Sequence, residues 1–414
     1  MKLDLTDMLY AISYALEKVE IELLGRDTGH SKRVACLSMF MAEEAGLKGE
    51  ELRDYVGCCI LHDSALTEFI YEELNKSPTL RESEVHPASI IERDTATFHS
   101  RHSVIGERNI RLMPFRTDVK NIVLYHHEAA DGSGAMGVTS AQTGLKAQIL
   151  HLADTVDMNT RLTTMTEAEF EETVRWVRSK SGKTFSEAAV KLFCDAVTYD
   201  KILDLQTKGA IACMQNKLYT EACEYSDEEI HNVAEVFAKI IDYKSEFTQT
   251  HSLGVSAKAE RMANYYGFDK AKTTRFYLAG ALHDIGKLIV SNDILEKPGK
   301  LTSDEFVTMK DHASATYFIL SKIKGIPDIL EWASNHHEKL NGKGYPRGLS
   351  ADKLSFEERL MACIDIYQAL TEKRPYKDGM SHEKSIAIMR DMVDRGELDG
   401  AIVQDLDSVM AHPE

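Results

Sequence analysis

The sequence predicts an all-α protein made of two tandem helical bundles. Segments such as YAISYALEKVEIELL and EEIHNVAEVFAKIIDY place apolar residues at three-and-four spacing, strand-like alternation is scarce, and the chain has only eight prolines. Its 414 residues exceed what one hydrophobic core usually organises. The second half also repeats a pattern of the first, which predicts one bundle in each half.

The repeat is an ordered set of histidines and aspartates that contains ten of the sixteen histidines. TGHSKRVACLSM at His30 recurs as QTHSLGVSAKAE at His251, a step of 221 residues. The remaining pairs keep the same order at steps of 221, 210 and 211: His62 and Asp63 with His283 and Asp284, His102 with His312, His126 and His127 with His336 and His337, and Asp154 with Asp365. Duplication is the economical explanation.

The repeat predicts the domain boundaries. We expect one domain at residues 1–197, a packed or helical connector at 198–225 and a second domain at 226–414, because no Gly/Ser-rich or Pro-rich linker separates them. The shorter step after LHD places about eleven extra residues in the first copy, where SPTLRESEVHP is rich in loop-forming residues.

Composition excludes several classes of protein. A net charge of −17 disfavours a broad basic surface, so long DNA or RNA is not the expected partner. No apolar run approaches the ~20 residues that span a bilayer, which predicts a soluble, cytoplasmic protein. The seven cysteines form no C-x-x-C pair and are expected to be reduced core residues: Cys36, Cys58, Cys59, Cys194, Cys213, Cys223 and Cys363.

Histidine and aspartate in this pattern predict a metal site. Imidazole and carboxylate are ligands of divalent metals, and the absence of cysteine from the pattern argues against a structural zinc finger. Neighbouring residues on a helix point about 100° apart, so His283 and Asp284 suit two adjacent metal ions, with Asp284 as a bridge. If the helix continues, Lys287 lies on the same face. Taken alone, Lys287 is equally well explained as a solvated surface lysine.

The strings HDIGK, HHEKLNGKGYPRGL and CIDIYQALTEKRPYK resemble the HD-GYP family of bacterial cyclic-dinucleotide phosphodiesterases. The resemblance covers the C-terminal half, and the N-terminal half resembles a diverged copy. It implies an all-α HD fold with two or three divalent metal ions, commonly iron or manganese, although nickel, zinc and magnesium remain open. It also implies hydrolysis of cyclic di-GMP to pGpG, GMP or both, or hydrolysis of cyclic GMP-AMP.

Motif by motif, the resemblance assigns roles to residues of the second copy. Asp284 and Lys287 are the implied catalytic residues, and Lys287, Arg374 and Lys377 the implied phosphate contacts. The implied metal ligands are His251, His283, Asp284, His312, His336, His337 and Asp365. Glu246 is a weak candidate for a further ligand.

The G-Y-P motif itself has a different implied role. Gly344, Tyr345 and Pro346 would form a structural loop that contacts partners such as GGDEF-domain proteins. Asn341 replaces the usual aspartate of D-G-x-G-Y-P, which preserves a turn but removes a charge.

The first copy keeps the ligand types but not the cations. Its candidate ligands are His30, His62, Asp63, His102, His126, His127 and Asp154. Leu66 replaces the lysine, Thr163 and Thr166 replace the basic pair, and Gly134, Ala135 and Met136 replace GYP. We expect this copy to be catalytically weak or inactive, and to serve in folding and dimerisation or as a metal, redox or ligand sensor.

Three functions are compatible with the sequence. The leading one is hydrolysis of a cyclic dinucleotide by the second copy. A general HD nucleotide phosphohydrolase is disfavoured by the GYP and RPYK strings, which simple HD hydrolases do not need. A non-catalytic effector that binds cyclic dinucleotide or protein is disfavoured by the complete ligand set and by Lys287, Arg374 and Lys377.

Overall fold

The computed structural model of the protein describes residues 1–24, 29–76, 94–218, 222–245, 250–297, 299–373 and 378–411. The all-α prediction is confirmed, since these residues are mostly helical. The strands among them are Lys2–Leu3 (β1) and Cys223–Glu224 (β2), which pair antiparallel with Lys2 opposite Glu224. The predicted insertion at 77–87 lies outside the described residues.

The chain forms two compact units. The first comprises Leu5–Glu221, and the second comprises Met1–Asp4 with Ala222–Glu414. Residues 198–221 thus group with the first unit, where they include two short helices. The boundaries predicted at residues 197 and 225 stay predictions.

One helix lies at the centre of the first unit. Its described helices are α1 (Leu5–Leu24), α2 (His30–Glu44), α3 (Gly49–Ile60), α4 (Leu66–Lys76), α5 (Thr95–Ile110), α6 (Ser140–Thr143), α7 (Leu145–Asn159), α8 (Glu167–Ser179), α9 (Glu187–Ala196), α10 (Tyr199–Lys208) and α11 (Ala210–Gln215). Helix α2 is buried from His30 to Ala42 and packs against α3, α7, α9 and α11. A helix buried on every side lies inside a core, and here its first residue is a candidate ligand.

The second unit repeats this arrangement. Its described helices are α12 (Asp227–Asp242), α13 (His251–Tyr265), α14 (Lys270–Leu282), α15 (Asn292–Leu295), α16 (Ser303–Leu320), α17 (Pro327–Ser334), α18 (Phe356–Thr371), α19 (His382–Asp394) and α20 (Gly400–Met410), with 3₁₀ turns at Ile285–Ile289 and Ala351–Lys353. Helix α13 packs against α14 and α18, as α2 does against α3 and α7.

Most candidate ligands of the second unit lie at helix ends. His251 begins α13, His283 follows the last residue of α14, and His336 follows the end of α17. His312 and Asp365 instead lie inside α16 and α18, whose starts are fixed by capping boxes at Thr302 and Ser355. The packing of these helices therefore brings the ends of α13, α14 and α17 together with the middle of α16 and α18.

One local expectation is corrected. The helix does not continue through IGKL, because α14 ends at Leu282 and a 3₁₀ turn covers Ile285–Ile289. Residues three apart lie above one another in a 3₁₀ turn, so Lys287 still lies over Asp284. The 3₁₀ turn thus places the Lys287 side chain over Asp284, as a continuous α-helix would have done.

The glycine of HDIGK allows this turn to pack against α16. A Cβ on Gly286 would meet the His312 carbonyl oxygen and would lie 2.7 Å from the Thr316 nitrogen, while Gly286 N–H donates to Thr316 Oγ1 at 3.0 Å. The first unit has Ala65 at the position of Gly286 and Gly106 at the position of Thr316. The glycine of this contact therefore lies in the turn in the second unit and in the facing helix, α5, in the first.

The seven cysteines are free thiols as expected, and Cys36, Cys58, Cys59, Cys213 and Cys363 are buried in the core. The expected core position is wrong for Cys194 and Cys223, which are partly exposed. Among the helices that the structure describes, none is long and apolar enough to cross a bilayer.

The Gly286 contact predicts a stability defect. Gly286→Ala should lower the free energy of unfolding by about 1–3 kcal/mol or more, since backbone atoms of α16 must move. Urea unfolding of the full chain measures this. Gly400→Ala is the matched control, because its Cβ would meet only Val393 Cγ1 at 3.0 Å, and it should change stability by less than about 0.5 kcal/mol. Equal stability of the two variants would contradict the packing argument.

Candidate metal centre

The carboxylate of Asp284 lies at the centre of the second unit's site. Its Oδ2 is 3.1 Å from His283 Nε2 and 3.8 Å from His251 Nε2. Its Oδ1 is 3.5 Å from His312 Nε2 and 3.8 Å from His336 Nε2. The two oxygens of one carboxylate therefore face two different sets of imidazoles.

Asp365 completes the arrangement from α18. Its Oδ1 is 3.0 Å from His251 Nε2 and 3.7 Å from His283 Nε2, and its Oδ2 is 3.9 Å from His337 Nδ1. Potential ligand atoms come within 4.8 Å of one another in three overlapping groups: His251 with His283 and Asp365, His283 with Asp284 and His336, and His312 with His336 and His337. All seven ligands predicted for the second copy thus meet in one place.

Backbone carbonyls orient three of the imidazoles. The Nδ1–H groups of His283, His312 and His336 each donate to the carbonyl oxygen three residues earlier, at 2.6–2.7 Å. This bond fixes the tautomer of the neutral imidazole, in which each Nε2 directs a lone pair into the site. Among the described residues, these three Nε2 atoms and Asp284 Oδ1 are buried without a hydrogen-bond partner.

Such unsatisfied atoms fit a divalent cation. A buried polar atom without a partner costs about 1–3 kcal/mol, and the site contains four of them on one small group of residues. Coordination would satisfy them together. The donor set of imidazole nitrogen and carboxylate oxygen suits iron, manganese, nickel or zinc, so the residues present fit the ions that the sequence predicted.

Burial and charge separate the protonation states of the histidines. Burial lowers the pKa of His312 and, with the charge on His283, lowers that of His336 to about 3. Burial also acts to lower the pKa of His283, but the carboxylates of Asp284 and Asp365 outweigh it and raise that pKa to about 10. His312 and His336 are therefore neutral at pH 7, and their Nε2 atoms can donate a lone pair to a metal ion. His283 must lose a proton before it can bind a cation.

Lys287 lies at the edge of the site. Its Nζ is 2.5 Å from Asp284 Oδ2, and its side chain is 21% exposed. Burial acts to lower the pKa of Lys287, but the Asp284 carboxylate more than offsets this and raises it. The lysine is thus a charged, partly accessible group in contact with the central aspartate, and not a solvated surface residue.

The GYP loop lies against the site. The Tyr345 ring is 4.7 Å from the ring of His337, centroid to centroid. Gly344 leaves no room for a Cβ, which would lie 2.5 Å from Glu338 Cα and 2.6 Å from the His337 carbonyl oxygen. The glycine therefore lets the loop close over the His337 backbone, and the tyrosine borders the candidate ligands.

Several predicted residues cannot be placed. Arg374, Lys377 and Glu246 lie outside the described residues, so their roles stay predictions.

The structure also adds residues that the sequence analysis missed. Glu338 accepts hydrogen bonds from the backbone of Arg347, Gly348 and Leu349 at 2.7–3.0 Å and so anchors the GYP loop. Glu372 Oε2 lies 3.2 Å from His251 Nδ1. The sequence could have indicated Glu338, because a glutamate follows the histidine pair in both copies.

The first unit builds a second centre with the same geometry. Asp63 Oδ2 is 3.5 Å from His62 Nε2 and 3.7 Å from His30 Nε2, while its Oδ1 is 3.5 Å from His102 Nε2 and 3.8 Å from His126 Nε2. Asp63 thus occupies the place of Asp284.

The remaining candidate ligands of the first copy lie in the same centre as Asp63. Asp154 Oδ1 lies 3.3 Å from His30 Nε2, and Asp154 Oδ2 lies 3.8 Å from His127 Nδ1. The buried Nε2 atoms of His30 and His62 have no hydrogen-bond partner among the described residues. The candidate ligands of the first copy therefore also fit divalent cations.

The surroundings of the first centre differ. Leu66 is buried where the second unit has Lys287, and Thr166 caps α8 by accepting a hydrogen bond from Glu169 N. Glu128 still anchors the loop through the nitrogens of Met136 and Val138, both at 2.7 Å. In place of the tyrosine, His99 stacks on His127 with ring centroids 4.0 Å apart. The loop scaffold is kept, whereas the ammonium group is lost.

Comparison with known proteins supports this description. Residues 28–159 and 235–402 each match a family model described as HD domain. A 3'3'-cGAMP-specific phosphodiesterase 1 of Vibrio cholerae is 27% identical over 408 residues, which cover 96% of this chain and 90% of that protein. A 3'3'-cGAMP-specific phosphodiesterase 3 of the same organism is 34% identical over 54% of this chain, and the match spans about half of its length, 49%.

Two further relatives extend the comparison. A cyclic di-GMP phosphodiesterase of Thermotoga maritima is 35% identical over 37% of this chain and 42% of its own. The crystal structure of a cyclic GMP-AMP phosphodiesterase of V. cholerae, V-cGAP3, matches all of this chain and 99% of that one, with a TM-score of 0.63 and 22% identity. At that identity the match establishes the shared fold.

The two centres predict separate metal contents. Asp284→Asn and Asp63→Asn should each reduce the manganese bound to the purified full chain, and the double variant should lose nearly all of it, because each aspartate faces both imidazole sets of its own unit. Inductively coupled plasma mass spectrometry gives the content. Asp352→Asn, an exposed carboxylate, is the control. Wild-type manganese content in Asp63→Asn would mean that the first centre holds no metal.

Proposed function

Because this chain belongs to the HD-GYP family, with two HD domains in tandem, we propose that its second domain hydrolyses a cyclic dinucleotide of the cyclic di-GMP or 3',3'-cyclic GMP-AMP type. The products would be the linear dinucleotide, its mononucleotides or both. The observation that carries the assignment to this domain is the contact of Lys287 with Asp284, which the first domain replaces with Leu66.

The relatives support the substrate class. The relative matched over 96% of this chain is named for 3'3'-cGAMP, and others are named for cyclic di-GMP. The choice between the two substrates depends on contacts with the bases. The distances at the metal centre do not involve the bases, so they favour neither substrate.

The proposed hydrolysis needs two or three divalent ions, with iron or manganese as the leading candidates. His251, His283, Asp284, His312, His336, His337 and Asp365 would hold them. Bound ions of this kind supply a hydroxide near neutral pH and neutralise charge on the phosphoryl oxygens.

The chain's own groups would bind and orient the substrate. Lys287 Nζ carries a proton beside Asp284, so it can donate a hydrogen bond to a phosphate oxygen or a proton to the departing ribose oxygen. The Tyr345 ring, packed on His337, limits the space beside the ligands. Arg374 and Lys377 would add phosphate contacts.

The two alternative functions have less support. A general nucleotide phosphohydrolase is disfavoured because the relatives compared above are named for cyclic dinucleotides. A non-catalytic effector that binds cyclic dinucleotide or protein is disfavoured by the complete set of candidate ligands together with Lys287, Arg374 and Lys377. Docking of a GGDEF-domain protein on the GYP loop remains compatible with hydrolysis, since Asn341 and Lys343 are exposed there while Tyr345 faces His337. A dimer likewise stays a prediction.

The division of labour can be tested by hydrolysis. The full chain, purified anaerobically with iron or manganese, should cleave cyclic di-GMP or 3',3'-cyclic GMP-AMP, as followed by chromatography of the products. Asp284→Ala should abolish cleavage, because it removes the carboxylate that both imidazole sets share. Asp63→Ala should retain most of it. Equal loss in the two variants would refute the assignment to the second domain, and absence of cleavage in the wild type would favour the effector.

Lys287 can be tested separately from metal binding. Lys287→Met keeps the length of the side chain but removes the ammonium, and it should lower kcat by roughly 10²- to 10⁴-fold while metal content is unchanged. Lys297→Met is the matched control, because Lys297 pairs with Glu305 and not with a candidate ligand. An unchanged kcat in Lys287→Met would exclude the lysine from the reaction.

A further inference from the structure

The first domain contains a cavity of about 460 Å³ beside its metal centre. Its walls include Lys32 and Arg33 of α2, Thr163, Gln206 and Lys208, with Tyr14 of α1. Gly29, next to the candidate ligand His30, also lines it. A volume of this size is within the range of about 300–1,000 Å³ that is usual for small-molecule sites.

The charged groups of the cavity are mostly basic. Lys32 and Arg33 are 6% and 7% exposed, which is unusual for these residue types in a chain with a net charge of −17. Among the described residues of the lining, Glu17 is the acidic one, and it accepts a hydrogen bond from Lys32 Nζ at 2.6 Å. In this described lining, three basic side chains against one acidic side chain favour an anion in the cavity.

The other acidic partners lie outside the lining. Asp157 accepts from Arg33 Nε at 2.6 Å and from a second guanidinium nitrogen at 2.9 Å, and Asp204 pairs with Lys208 at 2.8 Å. Asp157 thus holds the guanidinium in place and also accepts from His30 Nδ1 at 2.7 Å. The arrangement fixes a cation at the wall of the cavity and joins it to the metal centre through one carboxylate.

The volume of this cavity is not what distinguishes it as a candidate anion site. A larger one of about 660 Å³ in the same domain is lined by Arg161 together with Glu169 and Glu172, so its charged lining is acidic on balance. The smaller cavity differs in the sign of its charge, and this difference decides which of the two suits an anion.

The cations are specific to the first domain. At the steps of the repeat, Arg33 corresponds to Gly254 and Asp157 to Gln368. In the second domain the Gln368 amide packs directly against Gly254, which fills the space where Arg33 lies in the first. Thr163, also in the lining, corresponds to Arg374. The first domain has thus lost basic residues after its last aspartate but gained others on α2.

We propose that this cavity is a binding site for a nucleotide phosphate that the first domain does not hydrolyse. The cations would bind the phosphate. The Tyr14 ring is 38% exposed, with Lys32 Nζ 3.6 Å from its centroid, and offers a surface for a base. Gln206 Nε2 donates to the carbonyl oxygens of Leu162 and Met165, so Gln206 offers its Oε1 as an acceptor. The ligand would be either a cyclic dinucleotide or a phosphate monoester released from one. The proposal rests on the first domain's own residues and not on the proposed hydrolysis.

Calorimetric titration of the full chain tests the proposal. The parent protein carries Asp284→Asn and Lys287→Met, so that neither probe is consumed, and the probes are 3',3'-cyclic GMP-AMP and GMP. At least one probe should bind to the parent with an affinity that falls about tenfold when Lys32→Gln or Lys208→Gln is added. Binding of only the cyclic probe identifies the intact messenger as the ligand, and binding of only GMP identifies a monoester product.

Matched controls keep the result unambiguous. Lys191→Gln removes an exposed lysine that pairs with Asp195 as Lys208 pairs with Asp204, and it should leave binding unchanged. Lys208 is 53% exposed, so its replacement does not disturb the core if Lys32→Gln proves to destabilise the domain. Binding of neither probe, or binding that is insensitive to Lys208→Gln, would overturn the proposal. The hydrolysis assay depends on the second domain, so the two hypotheses can fail independently.

Discussion

The sharing of one buried carboxylate between two sets of imidazoles is the constraint on which each domain depends. Asp284 is 2% exposed, and removing a carboxylate from water is costly unless other groups compensate. The positive charges of His283 and Lys287 compensate here and hold the pKa of Asp284 well below its usual range, against the effect of burial. His283 and Lys287 belong to the same segment as Asp284, but the other imidazoles that face this carboxylate, His251, His312 and His336, come from other segments, so the centre forms only when the helices pack correctly.

The duplicated domain shows how this packing can be conserved while residues change. In the second domain, the turn after the central aspartate packs through Gly286 against Thr316. In the first, Ala65 faces Gly106, and a Cβ on Gly106 would lie 3.8 Å from that of Ala65. Either arrangement leaves room for one small side chain between the turn and the neighbouring helix. The distances around Asp63 and Asp284 consequently agree closely.

The domains differ in where their cations lie. The second domain places Lys287 against the central carboxylate, whereas the first has an aliphatic side chain there and places Lys32 and Arg33 beside a neighbouring cavity. A cation in contact with the centre suits chemistry on a phosphodiester, while cations beside the centre suit binding without reaction. Loss of the lysine in the first domain is therefore accompanied by a gain of charge elsewhere.

The sequence by itself determined the all-α class, the repeat and the two sets of candidate ligands, because helical periodicity and repeat spacing are local or collinear properties of the chain. It also indicated Lys287 on the condition that the helix continues, and a 3₁₀ turn gives the lysine the same placement. The tertiary structure decided how the candidate ligands of each set meet around one carboxylate, and it formed the basic cavity. These features depend on contacts such as that of His251 with Glu372, 121 residues apart, and that of Arg33 with Asp157, 124 residues apart. No spacing rule reaches so far, since such pairs meet only when separate helices pack into one core.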